Sequence, residues 1–267
     1  MGELIFVGLG LYDELGISLR GQEELKRCDH VFAEFYTSIM PGLNLQNLAS
    51  ATAKPVQLLT RADVEEHAKD KILFAAKSGK VALLVAGDPM VATTHVDLRL
   101  RAEKEGIRTR IIHGASVASA AAGVTGLQSY KFGRTVTIPV SQGTGLPESV
   151  YAGLSGNLEA GLHSLILLET DVEGGQWVTI PQALERLLAF SAESQKQSIK
   201  PHTLVVGLAR IGAPDMVIKA ASASDLMRLD FGRPPHCIIL PGKLHFVEAD
   251  ALHVFCGAPN ELVGSGN

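Results

Sequence analysis

Three strand-like runs in this chain each end in a glycine beside a group that can meet a ligand. Leu4 to Val7 runs into Gly8-Leu9-Gly10, Val81 to Ala86 into Gly87-Asp88-Pro89, and Thr109 to Ile112 into His113-Gly114-Ala115-Ser116-Val117. Open α/β sheets bind ligands beyond the carboxyl ends of their strands, and a glycine there lets backbone approach closely. The first turn falls short of the dinucleotide fingerprint G-x-G-x-x-G, because position 13 is Asp13. Its carboxylate would repel a pyrophosphate at a helix N-terminus, so a nicotinamide cofactor is disfavoured. Asp88 reads equally as a ligand contact and as a turn former. Ser116 lacks the G-x-S-x-G elbow of a nucleophile and reads as a helix N-cap, with neighbouring N–H groups free for a carboxylate. His95 opens the next helix, capped by Thr93 or Thr94, and is either a base or a hydrogen-bonded helix histidine. With no H-E-x-x-H, no P-loop lysine and no clustered His and Cys, a catalytic metal is not expected and no catalytic residue declares itself.

The elements that carry these turns alternate. After Leu4–Val7 come Ile17, Gly21, Leu25 and Cys28 at helical spacing, then a strand from Val31 to Phe35. Thr60 and Asp63 form a capping-box pattern before Val64, Ala68, Ile72 and Ala75, spaced as one helix. A strand from Val81 to Ala86, a helix through Arg101 and a strand from Thr109 to His113 follow. Strand–helix alternation specifies a parallel sheet with helices on its faces, here over residues 1–114. Residues 115–267 read differently. A small-residue helix runs from Ala115 to Gly126. Strands are expected over Thr135–Val140, Ser164–Leu168, Thr203–Leu208 and His236–Leu240, with a helix opening at Thr179-Ile180-Pro181. Asp230 to Pro235 is a loop, since paired prolines cannot sit inside an element.

Composition narrows the function. The chain has 267 residues, enough for one large or two modest domains with a core needing no disulfide or metal. Charged residues at 19 % and hydrophobic residues at 46 % exclude disorder and coiled coil. A net charge of −4 lacks the basic excess of a nucleic-acid binder. Cys28, Cys237 and Cys256 are too far apart for a disulfide framework and read as buried thiols of a reducing cytoplasm. The most apolar stretch, Ile111–Leu127, is too short and too interrupted to span a membrane. The N-terminus lacks the basic region of a signal peptide.

Longer runs are more telling. Phe6 to Asp13, Val31 to Ser38, Gly87 to His95, Gly126 to Gly133 and Pro234 to His245 occur in this order. With them the chain, from about position 3 to 260, closely resembles the diphthine synthases, methyltransferases of the diphthamide pathway. The Asp-Pro turn is shared with the wider tetrapyrrole-methylase superfamily. The resemblance implies an α/β, two-domain tetrapyrrole-methylase-like fold, with a parallel-sheet N-terminal domain, a mixed α/β C-terminal domain and the cofactor in the cleft between them. It implies S-adenosyl-L-methionine as donor and a homodimer in the cytoplasm. The substrate it implies is the 3-amino-3-carboxypropyl-histidine of translation elongation factor 2, trimethylated to diphthine. By motif match, the implied cofactor contacts are Leu11, Asp88, Val91, Ser116, Val117, Leu168, Ala209 and His236. His236 either packs on adenosine or accepts a proton. Lys131, Arg134 and Arg210 are candidates to meet the substrate carboxylate. The loop from Ser141 to Pro147 departs from the family in being less aromatic. A tetrapyrrole methylase, a nicotinamide oxidoreductase and a non-catalytic binding module of the translation machinery are the rival readings.

Overall fold

The computed structural model describes residues 2–36, 38–52, 54–140, 145–193 and 199–264. The chain divides into two compact units, one of residues 1–117 with 171–175, the other of residues 118–170 with 176–267.

The first unit is built on β1 (Glu3–Gly8), α1 (Leu19–Leu25), β2 (His30–Glu34), α2 (Leu45–Thr52), β3 (Val56–Leu59), α3 (Arg61–Glu65), α4 (Phe74–Ser78), β4 (Lys80–Val85), α5 (His95–Lys104) and β5 (Arg108–Ile112). Its sheet runs β3-β2-β4-β1-β5, every pair parallel. Strands alternate faces, so one sheet feeds two cores. Leu4, Phe6, Val81 and Leu83 pack on one side. Ile5, Val7, Ala82 and Leu84 pack on the other. The Thr60–Asp63 capping box forms as expected: the Thr60 hydroxyl accepts from the Asp63 N–H at 3.2 Å, and the Asp63 carboxylate accepts from the Thr60 N–H at 3.0 Å. The single helix expected after it is instead α3 and α4 joined by a π-helical turn, Lys69–Leu73. At the opposite end of the sheet from the turns of interest, Glu24 takes hydrogen bonds from Arg110 at 2.6 Å and Lys80 at 2.7 Å, which hold its carboxyl down to about 2.

The chain continues, chiefly within the second unit, from α6 (Val117–Thr125) through β6 (Val136–Ile138), α7 (Glu148–Glu159), β7 (Ser164–Leu168), the short strands β8 (Thr170–Asp171) and β9 (Gln176–Trp177), and α8 (Ile180–Glu193), with Val117 and Asp171 belonging to the first. The second unit ends with β10 (Leu204–Ala209), β11 (Val217–Ser222), α9 (Ala223–Leu226), β12 (His236–Leu240), α10 (Phe246–Cys256) and α11 (Asn260–Val263). Its main sheet, β11-β10-β12-β7-β6, is mixed: β6 and β7 are parallel and the other pairs antiparallel. Ile166, Ile180, Leu184, Val205 and Ile238 lie in its core. The three cysteines are buried free thiols. Among the described residues no helix is long and apolar enough to cross a membrane.

Candidate methyl-donor site

In the first unit, the turns after β1, β4 and β5 meet through bare backbone. Gly10 and Gly87 exchange hydrogen bonds, Gly87 N–H to Gly10 O at 2.7 Å and Gly10 N–H to Gly87 O at 3.2 Å. Both sit in the left-handed region, at φ 82° and 71°, where glycine is at ease. A Cβ on Gly8 would lie 2.5 Å from Gly87 O and 2.6 Å from Gly114 N; one on Gly114 would lie 2.5 Å from Gly87 O. Gly8 and Gly114 thus close on the Gly87 carbonyl with no room for a side chain of their own, while Gly87 is required by its positive φ.

Asp88 sits on that seam, 8 % exposed. Its Oδ1 accepts from the Met90 N–H at 2.9 Å, the turn-forming role. Its Oδ2 accepts from the Gly114 N–H at 3.3 Å and from the His113 ring, whose Nδ1 lies 2.7 Å away. The carboxylate therefore fastens the β4 turn to the β5 turn. Leu11 and Val117 are half-buried, Ser116 is buried directly ahead of α6, and Val91 is exposed at the tip of the Asp88 turn. Asp13, at the third fingerprint position, accepts from the Leu15 N–H at 3.0 Å and caps a short 3-10 turn.

His95 is the hydrogen-bonded alternative of the two readings. It is 1 % exposed, and its Nδ1 lies 3.1 Å from the Pro89 carbonyl. Burial lowers its pKa, so the ring is neutral near pH 7. Thr94 holds the cap position of α5 but spends its hydroxyl on Glu65 at 3.2 Å; the Thr93 hydroxyl accepts from the His95 N–H at 3.4 Å. Tyr36, in one of the distinctive sequence runs, is buried with Arg61 stacked 5.1 Å from its ring centroid, and its hydroxyl has no hydrogen bond among the described residues.

In the second unit, Leu168 ends β7, Ala209 ends β10 and His236 opens β12, with Ala209 directly opposite His236 in the ladder. His236 borders a cavity of about 320 Å³ with Thr179, Pro181, Leu229, Phe231 and Gly232. The ring is 6 % exposed and, among the described residues, neither buried nitrogen has a hydrogen bond of good geometry. Burial, and then the Arg210 charge, lower its pKa. The result is a neutral imidazole whose nearest polar neighbours are the Arg233 and Gly232 main chain, without a well-formed bond to either, a state a bound ligand would relieve.

Two of the three candidate cations are already spent. Arg210, at φ 53°, is 6 % exposed and donates to the carbonyls of Phe231 at 2.7 Å, Arg233 at 2.5 Å and Asp215 at 2.9 Å; its Nε lies 2.9 Å from the Asp215 carboxylate. It clamps the loop before His236 and has no fork left for a substrate. Lys131 donates to the Lys243 carbonyl at 2.7 Å and pairs with buried Glu248. Arg134 is exposed. In the departing loop, residues 141–144 lie outside the described residues.

Sequence reasoning missed Glu248, which also takes N–H bonds from Gln128 at 2.9 Å and His245 at 2.8 Å and one from His163 at 2.9 Å. His163 Nδ1 accepts from the Gly242 N–H at 2.9 Å, so its proton is on Nε2, the donor to Glu248. The Glu three residues after His245 was the available signal, since Glu248 closes a capping box on α10.

Residues 3–226 match the family described as Tetrapyrrole (Corrin/Porphyrin) Methylases. The diphthine synthase of Methanosarcina barkeri is 48 % identical over 261 residues, covering 96 % of this chain and 97 % of that one. That of Methanothermobacter thermautotrophicus is 42 % identical over 260 residues, covering 97 % and 98 %. A crystal structure of diphthine synthase superposes with a TM-score of 0.88 at 37 % identity, covering 98 % and 99 %. The chain belongs to the tetrapyrrole methylase family and, within it, to the diphthine synthases. It is a methyltransferase with a donor of the S-adenosylmethionine type, acting in diphthamide biosynthesis.

Proposed function

We propose that the protein trimethylates the amino group of the 3-amino-3-carboxypropyl-histidine of translation elongation factor 2, forming diphthine, as a cytoplasmic homodimer. The observation that carries this reading is similarity at 42–48 % identity to named diphthine synthases over almost the whole chain.

We assign Leu11, Asp88, Val91, Ser116, Val117, Leu168, Ala209 and His236 to the donor. Bound there, S-adenosylmethionine supplies an electrophilic methyl on a sulfonium. The residues fit such a group in two observed ways. Gly8 and Gly114 keep side chains away from their strand ends, and His236 presents ring nitrogens without a well-formed hydrogen bond beside a cavity. What the chain contributes is chiefly position: alignment of two reactants can remove ~7–11 kcal/mol of barrier. The Asp88 crosslink and the Arg210 clamp are rigid parts suited to that task. The acceptor amine must be neutral to react and sheds a proton with each of its first methylations. His236, neutral beside the cavity, is suited either to hold the adenosine or to take that proton.

Labelled methyl transfer to elongation factor 2 bearing the modified histidine, read by mass spectrometry of the peptide, tests this. Three added methyls establish the assignment. A fourth reveals a methyl ester as well. Tight S-adenosylhomocysteine binding without transfer removes the substrate and leaves the tetrapyrrole methylase reading, to be tested with precorrin-type substrates.

A further inference from the structure

The turn that carries Asp88 and Val91 is held from behind by a residue that the assigned donor contacts do not include. His95 lies at the first position of α5, buried, with its ring centroid 6.4 Å from that of Phe6 on β1. A carbonyl can only accept, so the 3.1 Å contact between His95 Nδ1 and Pro89 O places the ring proton on Nδ1. Nε2 of the neutral ring is then bare. It lies 3.5 Å from Glu34 Oε1, in a contact that is an ion pair only for a charged ring. The directional bond is the one to Pro89. It lands in the middle of a turn whose ends are Gly87 at φ 71° and Ala92 at φ 54°. Ala92 is the costlier of the two, since a residue with a Cβ in this region needs its surroundings to hold it there.

We propose that His95 is a positioning residue for methyl transfer: by donating to the Pro89 carbonyl it holds the 87–92 turn in the shape that meets the methyl donor. The proposal rests on the assignment of Asp88 and Val91 to that donor. His95 touches no reacting atom; it acts through Pro89.

Two variants of similar size separate the hydrogen bond from the fold. Asparagine carries an amide N–H close to where Nδ1 sits, whereas the glutamine amide reaches toward Nε2. S-adenosylhomocysteine affinity measured by calorimetry, with kcat and KM for the methyl donor, reads the difference. His95→Gln is expected to weaken S-adenosylhomocysteine binding about tenfold and to raise KM by a similar factor, with a smaller change in kcat. His95→Asn is expected to stay within about twofold of wild type. Equal loss in both variants, or wild-type affinity in His95→Gln, overturns the positioning role while wild-type binding keeps the donor reading intact. A wild-type protein that binds no S-adenosylhomocysteine overturns both.

Discussion

Replacing Glu248 by glutamine removes one charge and almost no volume, so it isolates the electrostatics of a single buried carboxylate. Burial alone pushes the Glu248 carboxyl up. The His245 N–H, the Lys131 ammonium, the Gln128 N–H and the His163 ring together overcome this and hold it down to about 2. Against a reference of 4.5, that shift corresponds to about 3 kcal/mol favouring the folded state. Because the folded pKa is the lower one, the contribution is complete above pH 4.5 and disappears as the pH falls from there through 2. Glutamine keeps one acceptor but turns an NH₂ toward groups that are all donors, and it leaves the Lys131 ammonium with only the Lys243 carbonyl and no carboxylate. Breaking a buried pair in this way costs ~3–5 kcal/mol. With ~2–4 °C per kcal/mol for chains of this size, Glu248→Gln should melt roughly 6–20 °C below wild type at pH 7. Circular dichroism melts of both proteins at pH 7 and pH 3 decide the matter. The gap should be wide at pH 7 and narrower at pH 3, where wild type has begun to lose the same interactions. Equal melting temperatures at pH 7, or a gap unchanged with pH, would refute the reasoning.

Arg210→Met keeps a side chain at a left-handed position, so it adds no new backbone strain, but it abandons three carbonyls. Only that of Phe231 belongs to a buried residue, so the loss should be about 2–3 kcal/mol in a denaturant titration. The same variant removes a positive charge that depresses His236, so the His236 pKa should rise by NMR titration; an unchanged value would show that the charge is not felt at the ring. Gly114→Ala places a Cβ 2.5 Å from one carbonyl and should cost at least ~1–3 kcal/mol and lose S-adenosylhomocysteine binding; wild-type affinity would show that the seam can open.

The sequence spoke most clearly where burial is complete. β7 and β12 coincide with their expected spans, and β1, β2 and β4 lie within one or two residues of theirs, because continuous apolar runs leave no choice of face. β3 escaped because Val-Gln-Leu-Leu is an edge strand with only Leu59 buried. β11 is the opposite edge of the second sheet, and a lysine interrupts it. α7 carries Gly153 and Gly156, which blur helical propensity. At the site, Gly87-Asp88-Pro89 declared itself by ending a buried run. The commitments of Lys131 and Arg210 did not: Lys131 ends at Lys243 and Glu248, more than a hundred residues away, and Arg210 ends on main-chain oxygens that any residue type would offer.

The glycine seam has an evolutionary corollary. When two side chains collide, a smaller neighbour or another rotamer can make room, so one substitution can be rescued by a second. At Gly8 and Gly114 the opposing atoms are main-chain carbonyl, amide and Cα atoms. These have no rotamers and cannot be mutated away. No exchange of side chains elsewhere repairs an alanine at Gly8 or Gly114; only a shift of whole strand ends would. Those two positions are therefore closed to stepwise drift for reasons internal to the sheet, and a lineage that abandoned methyl transfer altogether would still be bound to keep them as long as it kept the fold.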